Sequence, residues 1–531
     1  MKKILTVVLS AMATCVMAFD APTLGWSSWN TFALNISDSV IRSQADAMIS
    51  TGLAKAGYRN VNIDDGYWDG RDDNGRVRLN DRLFPNGMRS LTDYIHGLGL
   101  IPGIYSDGGE NSCSSIYSKV KEGIGVGFYG HEAEDCRQFF IDWNFDFIKI
   151  DYCSGMRMGL KEQEQYGKIR REMDRCAKER GKDIKFNMCR WAYPGTWVSE
   201  IADSWRTTGD IYCEWKSVKE IIRRNLYLQA FTGGGHYNDM DMLEIGRTLT
   251  HAEETTHMIY WSICSSPLLI GCDLTKIPES SLSLLKNKYL LAMNQDKLGI
   301  GAPVVQREGD VYVVAKDMEK IGGNKRAVAV VNLSDEVQQI DIDIRLLGMQ
   351  GPVSLFDCLE EKKLPKASGN LHLTLQPHAS AAFIVKGKRL ERTVYQAEEA
   401  WLKMFHEMWK NEYAQFAVAD MASQGAYVGH LGNGADNYME LRNVYSQRGG
   451  DYTLTIRYAS EDERDLSMMV NGSQPLTLYG LYSGSSTDNW KTTTVRVKLR
   501  KGQNTVRLYN NDGWAPNIDY IELKPIANRK Q

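Results

Sequence analysis

Apolar and polar residues follow two different patterns along this chain, and the change falls near residue 300. Before that point, short apolar runs are separated by stretches with apolar residues three and four positions apart. Continuous apolar runs are typical of parallel strands that are buried on both faces, and the intervening spacing is typical of helices. Eight strands are predicted, in the ranges 24–29, 58–64, 101–106, 146–152, 184–189, 204–210, 236–243 and 267–272.

Two of the helices between these strands have recognisable ends. Ser37 is placed to cap a helix that ends near Gly57, and a second helix is predicted over 163–180, with Gly181 as its stop. Eight right-handed β-α-β units close into a (β/α)8 barrel, which is the fold we expect for residues 19–300. An open doubly wound sheet is the alternative, although no glycine-rich dinucleotide fingerprint follows the first strand.

After residue 300 the strands become shorter and alternate between apolar and polar residues. A chain of 531 residues is too long for a single core. Residues 301–390 are predicted to form an antiparallel β-sandwich, with strands at 311–315, 326–333, 339–344, 371–375 and 380–385. Residues 391–526 are predicted to form a second β-sandwich, with strands at 452–458, 467–470, 492–499, 505–509 and 518–523.

The N-terminus has the pattern of an export signal. Lys2 and Lys3 precede a short apolar run, and the small residue Ala18 ends a cleavage site, so residues 1–18 are predicted to be a signal peptide. We therefore expect a periplasmic or secreted protein without a membrane span. The formal net charge of -3 gives no basis for a nucleic-acid or anionic-membrane partner. The ten cysteines include no C-x-x-C pair, which disfavours a structural zinc site.

Two aspartates at strand ends are the candidate catalytic residues. Asp151 closes the apolar run 147–150, and Asp210 ends the sixth predicted strand. The carboxyl ends of barrel strands face one mouth, so these two carboxylates are expected to converge on one pocket. Two carboxylates across a pocket are the minimum that hydrolysis of a glycosidic bond requires.

The neighbours of these aspartates suggest different roles. Lys149 projects from the same strand face as Asp151, and its ammonium is expected to lower the pKa of a nucleophile that must be charged. Burial and the adjacent negative nucleophile are expected to raise the pKa of Asp210, as a general acid requires. A structural ion pair for Lys149 and a helix N-cap for Asp210 are the alternatives.

Asp64 and Asp65 end the second predicted strand. Adjacent side chains at a strand end point in different directions, so the two carboxylates can accept hydrogen bonds from two hydroxyls of one sugar. A hard metal cation is the competing interpretation, since paired aspartates also suit such an ion. Trp29 and Tyr105 add apolar walls, unless they are ordinary core residues.

Six ordered segments carry a family resemblance. They are residues 24–30, 62–66, 84–88, 103–107, 149–153 and 238–243, with the sequences LGWSSWN, NIDDG, FPNGM, GIYSD, KIDYC and NDMDML. In this order they resemble the α-galactosidase/melibiase group, glycoside hydrolase family 27. The resemblance extends from about Leu24 into the first β-sandwich.

The resemblance implies a retaining exo-glycosidase that removes terminal α-D-galactosyl residues from oligo- or polysaccharides by double displacement. The resemblance also implies that catalysis needs no cofactor. Asp151 matches the family nucleophile and Asp210 its acid/base, while Asp64 and Asp65 match residues that hold the galactose 4- and 6-hydroxyls. Further matched pocket residues are Trp29, Tyr105, Lys149, Arg206 and Asp241. Cys113 and Cys153 match the cysteines of a disulfide at the mouth.

One residue departs from the family pattern. Galactosidases of this family usually carry Glu-Trp after the cysteine that ends the fifth strand, where the 2-position of the sugar is read, but this chain has Arg190 and Trp191. Arginine cannot accept a hydrogen bond. We expect Arg190 to donate to the 2-hydroxyl or to meet an acidic group of the glycan, and pairing with a local carboxylate is the alternative.

This departure leaves other activities open. The same machinery could act on an α-N-acetylgalactosaminide, a β-L-arabinopyranoside or an isomaltose-type glucan. The contrasting class is a glycan-binding protein without turnover, which the presence of both Asp151 and Asp210 argues against.

The C-terminal region has a second resemblance. The segments 395–398 and 517–523, with the sequences YQAE and NIDYIEL, look like carbohydrate-binding modules of families 6 and 35. In these families, residues matching Glu398 and Asp519 help to hold a structural Ca2+. Trp514 is a candidate sugar platform. A stabilising appendage that binds no glycan is the alternative.

Overall fold

A computed structural model describes residues 20–406 and 412–526. The predicted signal peptide lies outside the described residues. Among the helices in the described ranges, none combines the length and the apolar character that crossing a membrane requires.

Strands and helices alternate through the first part of the chain. The strands are β1 (Leu24–Ser27), β2 (Asn60–Asn62), β3 (Trp68–Arg71), β4 (Val77–Leu79), β5 (Ile101–Asp107), β6 (Phe147–Asp151), β7 (Lys185–Met188), β8 (Ser204–Arg206), β9 (Tyr237–Asp239) and β10 (Leu268–Ile270). The α-helices are α1 (Trp29–Phe32), α2 (Asp38–Ser50), α3 (Leu53–Ala56), α4 (Gly87–Gly97), α5 (Cys113–Tyr117), α6 (Glu132–Arg137), α7 (Cys153–Arg157), α8 (Glu162–Arg180), α9 (Trp215–Asn225), α10 (His251–Ile263), α11 (Glu279–Leu285) and α12 (Lys288–Asn294).

Eight of these strands form one parallel sheet in the order β10-β1-β2-β5-β6-β7-β8-β9. A parallel bridge between Leu243 and Ile270 joins its two ends, so the sheet closes into the predicted barrel. All eight predicted strands are present, although most are shorter than predicted. The remaining pair, β3 and β4, forms an antiparallel hairpin beyond the end of β2. This topology brings the carboxyl ends of all eight barrel strands to one mouth.

Both helices with predicted ends are present, but the first is divided into two helices. The Ser37 side chain caps α2 by accepting a hydrogen bond from the Val40 amide at 3.3 Å. The helix predicted to end near Gly57 is divided into α2 and α3, because Gly52 adopts a φ of 80° between them. Gly181 ends α8 with a φ of 65°, a left-handed conformation that glycine adopts without strain.

The second part of the chain is a β-sandwich. Its strands are β11 (Val304–Glu308), β12 (Val311–Asp317), β13 (Lys325–Asn332), β14 (Gln338–Asp343), β15 (Met349–Asp357), β16 (Lys362–Ala367), β17 (Asn370–Leu375) and β18 (Ser380–Arg389). A six-stranded sheet, β11-β12-β13-β18-β15-β16, packs on the pair β14-β17. Its inner face forms an apolar core of its own. Strands β11, β15 and β16 were not predicted, and β16 is polar and largely exposed.

The third part has two further antiparallel sheets. Its strands are β19 (Val394–Gln396), β20 (Trp401–Leu402), β21 (Gln415–Val418), β22 (Ala426–Gly429), β23 (Met439–Ser446), β24 (Gly450–Ala459), β25 (Arg464–Val470), β26 (Leu476–Leu481), β27 (Lys491–Leu499), β28 (Gly502–Tyr509) and β29 (Asn517–Pro525). One sheet runs β21-β22-β29-β24-β27 with β19 on β29, and the other runs β20-β23-β28-β25-β26. This module shares one continuous apolar cluster with the barrel, and a second set of first-sandwich residues, such as Tyr312 and Val314, belongs to the same cluster.

Close packing between β1 and β2 generates a stability prediction. A Cβ added at Gly25 would lie 2.5 Å from both the backbone oxygen and the Cβ of Asn60, and the backbone of a central strand cannot move away. We expect Gly25→Ala to lower the free energy of unfolding by about 1–3 kcal/mol, the usual cost of overpacking. Thermal or urea unfolding measures this change. The matched control is Gly97→Ala, where no atom lies within 4 Å of the added Cβ; equal stability of the two variants would contradict the prediction.

Candidate active site

A cavity of about 410 Å³ opens at the carboxyl ends of the barrel strands. Its volume lies within the roughly 300–1,000 Å³ that ligand pockets occupy. Nine of the ten residues predicted for catalysis or substrate binding line it: Trp29, Asp64, Asp65, Tyr105, Lys149, Asp151, Arg206, Asp210 and Asp241. The predicted disulfide between Cys113 and Cys153 is present at its wall, with a Cα–Cα distance of 5.3 Å, and is confirmed.

Asp151 lies at the last position of β6, on the floor of the cavity. Its Oδ1 lies 3.9 Å from the Lys149 ammonium, which projects from the same strand face as expected. Burial raises the pKa of Asp151 to about 6, and the positive charge of Lys149 only partly offsets this effect. The expectation of a lowered pKa was therefore wrong, because the cost of desolvating a buried carboxylate outweighs one cation at this distance.

Lys149 also binds the carboxylate of Asp64. Its Nζ donates to Asp64 Oδ2 at 3.0 Å, which is closer than its approach to Asp151. It lies over the Tyr105 ring, 5.4 Å from the centroid. The pKa of Lys149 is raised well above its usual value by these two aspartates, although burial acts in the opposite direction. The ammonium therefore holds two carboxylates of different strands in one cavity.

The paired aspartates point in different directions, as expected. Asp65 accepts hydrogen bonds from the amide and the hydroxyl of Ser114, both at 2.8 Å, whereas Asp64 faces Lys149. Burial raises the pKa of Asp65 to about 8, despite the Ser114 hydrogen bonds that favour its ionised form. The oxygens that a hard cation would need are thus engaged by protein donors, which disfavours the metal interpretation.

Asp210 is held at the rim by two donors. Its Oδ1 accepts from Trp191 Nε1 at 3.0 Å and from Arg206 Nη2 at 3.1 Å, and 64% of its side chain is exposed. Burial acts to raise its pKa, but the charges of Arg206 and Lys149 and these hydrogen bonds hold the pKa below its usual value. This is opposite to the expected direction, because Arg206 lies closer to Asp210 than the sequence could indicate.

Arg206 joins Asp210 to a second carboxylate. The same Nη2 lies 2.6 Å from Asp241 Oδ2, which also accepts from the Ile211 amide at 2.7 Å. Burial raises the pKa of Asp241 to about 7 although Arg206 opposes this. The helix after Asp210 begins only at Trp215 with Glu214 as its N-cap, so Asp210 is not a helix cap.

Arg190 does not line the cavity. Its Nε lies 2.7 Å from Glu162 Oε1, and only 6% of its side chain is exposed. The structure thus shows the local ion pair that was the alternative interpretation, rather than a side chain directed at a sugar. The next residue, Trp191, occupies the cavity wall instead.

Sequence reasoning missed several residues of this site. Trp191 could have been recognised as a candidate because it directly follows Arg190 at the end of a barrel strand, where side chains face the mouth. The other missed wall residues are Asn30, Ser114, Tyr117, Ser118 and Met242. They follow strand ends without a distinctive chemical pattern.

The predicted calcium residues lie in the C-terminal module. Glu398 is buried, and its Oε2 has no hydrogen-bond partner among the described residues, which a cation would satisfy. Asp519, however, is ion-paired with Arg457 and accepts from the Ser423 amide at 2.9 Å. A guanidinium on this carboxylate opposes a second cation, so Glu398 fits calcium and Asp519 does not.

Comparisons with known proteins agree with this geometry. The sequence model of the family described as alpha galactosidase A matches residues 21–296, more than half of the chain. The chain belongs to the α-galactosidase A family. A second model, carbohydrate binding module (family 35), matches residues 405–526. The resemblances inferred from the sequence motifs are thereby confirmed.

Individual members of the family are similar over most of their length. Alpha-galactosidase 2 of Arabidopsis thaliana is 35% identical over 375 residues, covering 70% of this chain and 90% of the plant protein. The alpha-galactosidase of Coffea arabica is 37% identical, covering 68% and 93%. Alpha-galactosidase I of Mortierella vinacea shares the fold, with a TM-score of 0.64 at 24% identity, covering 70% of this chain and 99% of that one.

The ion pair of Arg190 generates a charge-exchange prediction. Arg190→Glu places two carboxylates together in a buried position, so we expect the free energy of unfolding to fall by roughly 3 kcal/mol. The double variant Glu162→Arg/Arg190→Glu reverses the pair and is expected to recover most of that loss. Urea unfolding of the three proteins tests this. Equal destabilisation by the single and double variants would contradict a direct pair.

Proposed function

We propose that this protein is a retaining exo-α-galactosidase, which removes terminal α-D-galactosyl residues from oligo- or polysaccharides. The observation that carries the proposal is one cavity in which Asp151 and Asp210 are accompanied by Asp64, Lys149 and Asp65. Family membership and relatives named alpha-galactosidase support it.

The proposed mechanism begins with Asp151 as nucleophile. Its carboxylate attacks the anomeric carbon while Asp210 donates a proton to the departing glycosidic oxygen. The resulting ester neutralises Asp151, so Asp210 can then remove a proton from water, which attacks the same carbon. Two inversions give net retention. Asp210 suits this role because it lies at the exposed rim, where the leaving group and water both enter.

The remaining residues position the sugar. Asp64 and Asp65 face different directions at the cavity floor and are proposed to accept from the 4- and 6-hydroxyls. Trp29 and Tyr105 form apolar walls. Arg206 and Asp241 form a fixed ion pair beside Asp210 and are proposed to orient it. None of these steps requires a cofactor.

The three regions of the chain are proposed to divide near residues 300 and 390. We propose that the protein is exported after removal of residues 1–18, and that the C-terminal module binds carbohydrate. The proposal does not include calcium, because Asp519 is already paired with Arg457.

A panel of nitrophenyl glycosides tests the activity. We expect the highest kcat/KM on the α-D-galactoside, since Asp65 suits a hexose with a 6-hydroxyl, and a first-formed product of α configuration by NMR. Faster hydrolysis of the α-N-acetylgalactosaminide, β-L-arabinopyranoside or α-glucoside would reassign the sugar.

The control for this assay is Asp151→Asn, which should lower kcat by at least roughly 10³-fold because it removes the attacking group. Full activity of this variant would refute the mechanism.

The protonation of the cavity generates a pH prediction. The proposed mechanism needs one proton shared by Asp151 and Asp210, and the two interact, so the pair titrates together. A group whose pKa is raised to about 6 holds its proton below that pH and releases it above. We therefore expect kcat/KM to fall as pH rises through about 6.

The control for this pH profile is Asp210→Ala with a dinitrophenyl galactoside, whose good leaving group needs no acid. Here the rate should rise with pH as Asp151 ionises, with a midpoint below 6 because the negative charge of Asp210 is gone. A profile that still falls near pH 6 would contradict the assignment.

A further inference from the structure

The loop that follows β7, residues 189–195, has one face in the catalytic cavity. Trp191 lines the cavity there and donates to Asp210 at 3.0 Å. The φ angles of Trp191 and Gly195 are 63° and 114°, in the left-handed region that a tryptophan seldom adopts. Such a conformation persists only where surrounding contacts maintain it. The residues that pack behind this loop therefore determine where Trp191 lies.

Those residues belong to the C-terminal module. Phe405, which is 8% exposed, places its ring 5.4 Å from Tyr193 of the loop and 5.3 Å from Phe231 of the barrel. Tyr193 and Phe231 are themselves 4.5 Å apart, and Phe416 of the module adds a fourth ring 5.4 Å from Phe405. Four aromatic rings from two parts of the chain thus form one cluster, in which Tyr193, Phe231 and Phe405 are buried and Phe416 is half-buried.

Polar contacts join the same two segments. The Thr196 hydroxyl, one residue beyond the loop, donates to the Lys403 carbonyl at 2.8 Å. Burial, together with the positive charge of Arg190, lowers the pKa of His406 to about 4, so a neutral imidazole lies near the Arg190–Glu162 ion pair. The segment 403–406 therefore contacts the loop at Tyr193 and the chain just beyond it at Thr196.

We propose that Phe405 is a positioning residue for hydrolysis: it packs against Tyr193 behind the loop and thereby holds Trp191 against Asp210. The C-terminal module is then a structural part of the catalytic site in addition to any carbohydrate that it binds. This inference rests on the proposed function, in which Asp210 is the acid/base.

The full-length variant Phe405→Ala tests the proposal. Loss of the ring should lower kcat/KM by about 10- to 100-fold, the scale of effect that a misplaced active-site group produces. The Trp191 hydrogen bond stabilises ionised Asp210, so its loss should raise the pKa of Asp210 and move the pH profile of kcat/KM to higher pH. Phe405→Leu, which keeps most of the apolar volume, should restore both quantities. A purely structural role would leave the pH profile unchanged.

The matched control is Leu454→Ala, at a buried position of β24 that pairs with Leu523 of β29. It should lower the melting temperature without moving the pH profile. The proposal would be overturned if Phe405→Ala left both the pH profile and kcat/KM unchanged. It would also be overturned if Leu454→Ala changed both quantities as much as Phe405→Ala does.

Kinetics are measured on the nitrophenyl glycoside that the wild-type protein hydrolyses fastest, so a different sugar specificity does not affect the comparison. Hydrogen exchange of residues 190–197 gives a readout without activity: faster exchange in Phe405→Ala supports the proposal, and unchanged exchange refutes it.

Discussion

The cavity depends on two cations that are each shared between two carboxylates. Lys149 lies between Asp64 and Asp151, and Arg206 lies between Asp210 and Asp241. Several carboxylates this close together in a partly desolvated pocket repel one another, and burying each without a partner would cost several kcal/mol. The two cations reduce that cost while leaving oxygens directed at the cavity. Asp65 lies outside both ion pairs, and burial raises its pKa to about 8.

The barrel and most of its mouth could be predicted because both follow from local patterns. Buried parallel strands appear in the sequence as apolar runs. Because the carboxyl ends of barrel strands meet at one mouth, polar or charged residues at these ends imply a shared pocket. The alternation of side chains along a strand placed Lys149 beside Asp151 without any knowledge of the fold. The bridge between Leu243 and Ile270 that closes the barrel, by contrast, joins two segments whose pairing no local sequence pattern indicates.

The directions of the pKa shifts could not be predicted from the same patterns. Each shift is a difference between the desolvation of a group and its attraction to nearby charges, and both depend on distances of a few ångströms. Asp151 has an adjacent lysine but is deeply buried, so desolvation dominates. Asp210 was expected to be the buried acid, yet it is exposed and bound by Arg206 and Trp191. The pKa of Asp151 is thus shifted upward and that of Asp210 downward, opposite to the directions expected from the sequence.

The surroundings of Arg190 show how a single position can mislead. Its charge suggested a sugar contact, but a buried guanidinium needs a carboxylate, and Glu162 at the start of α8 supplies one. That pair lies at the beginning of the loop. Tyr193, later in the loop, packs against Phe405, which is more than 200 positions away in the sequence. A contact of this separation leaves no local periodicity. The first β-sandwich has an inner core of its own, but other residues of that sandwich and the core of the C-terminal module both belong to the apolar cluster of the barrel. A displacement of Phe405 can therefore reach the loop at Tyr193 through packed rings, which a flexible linker would not transmit.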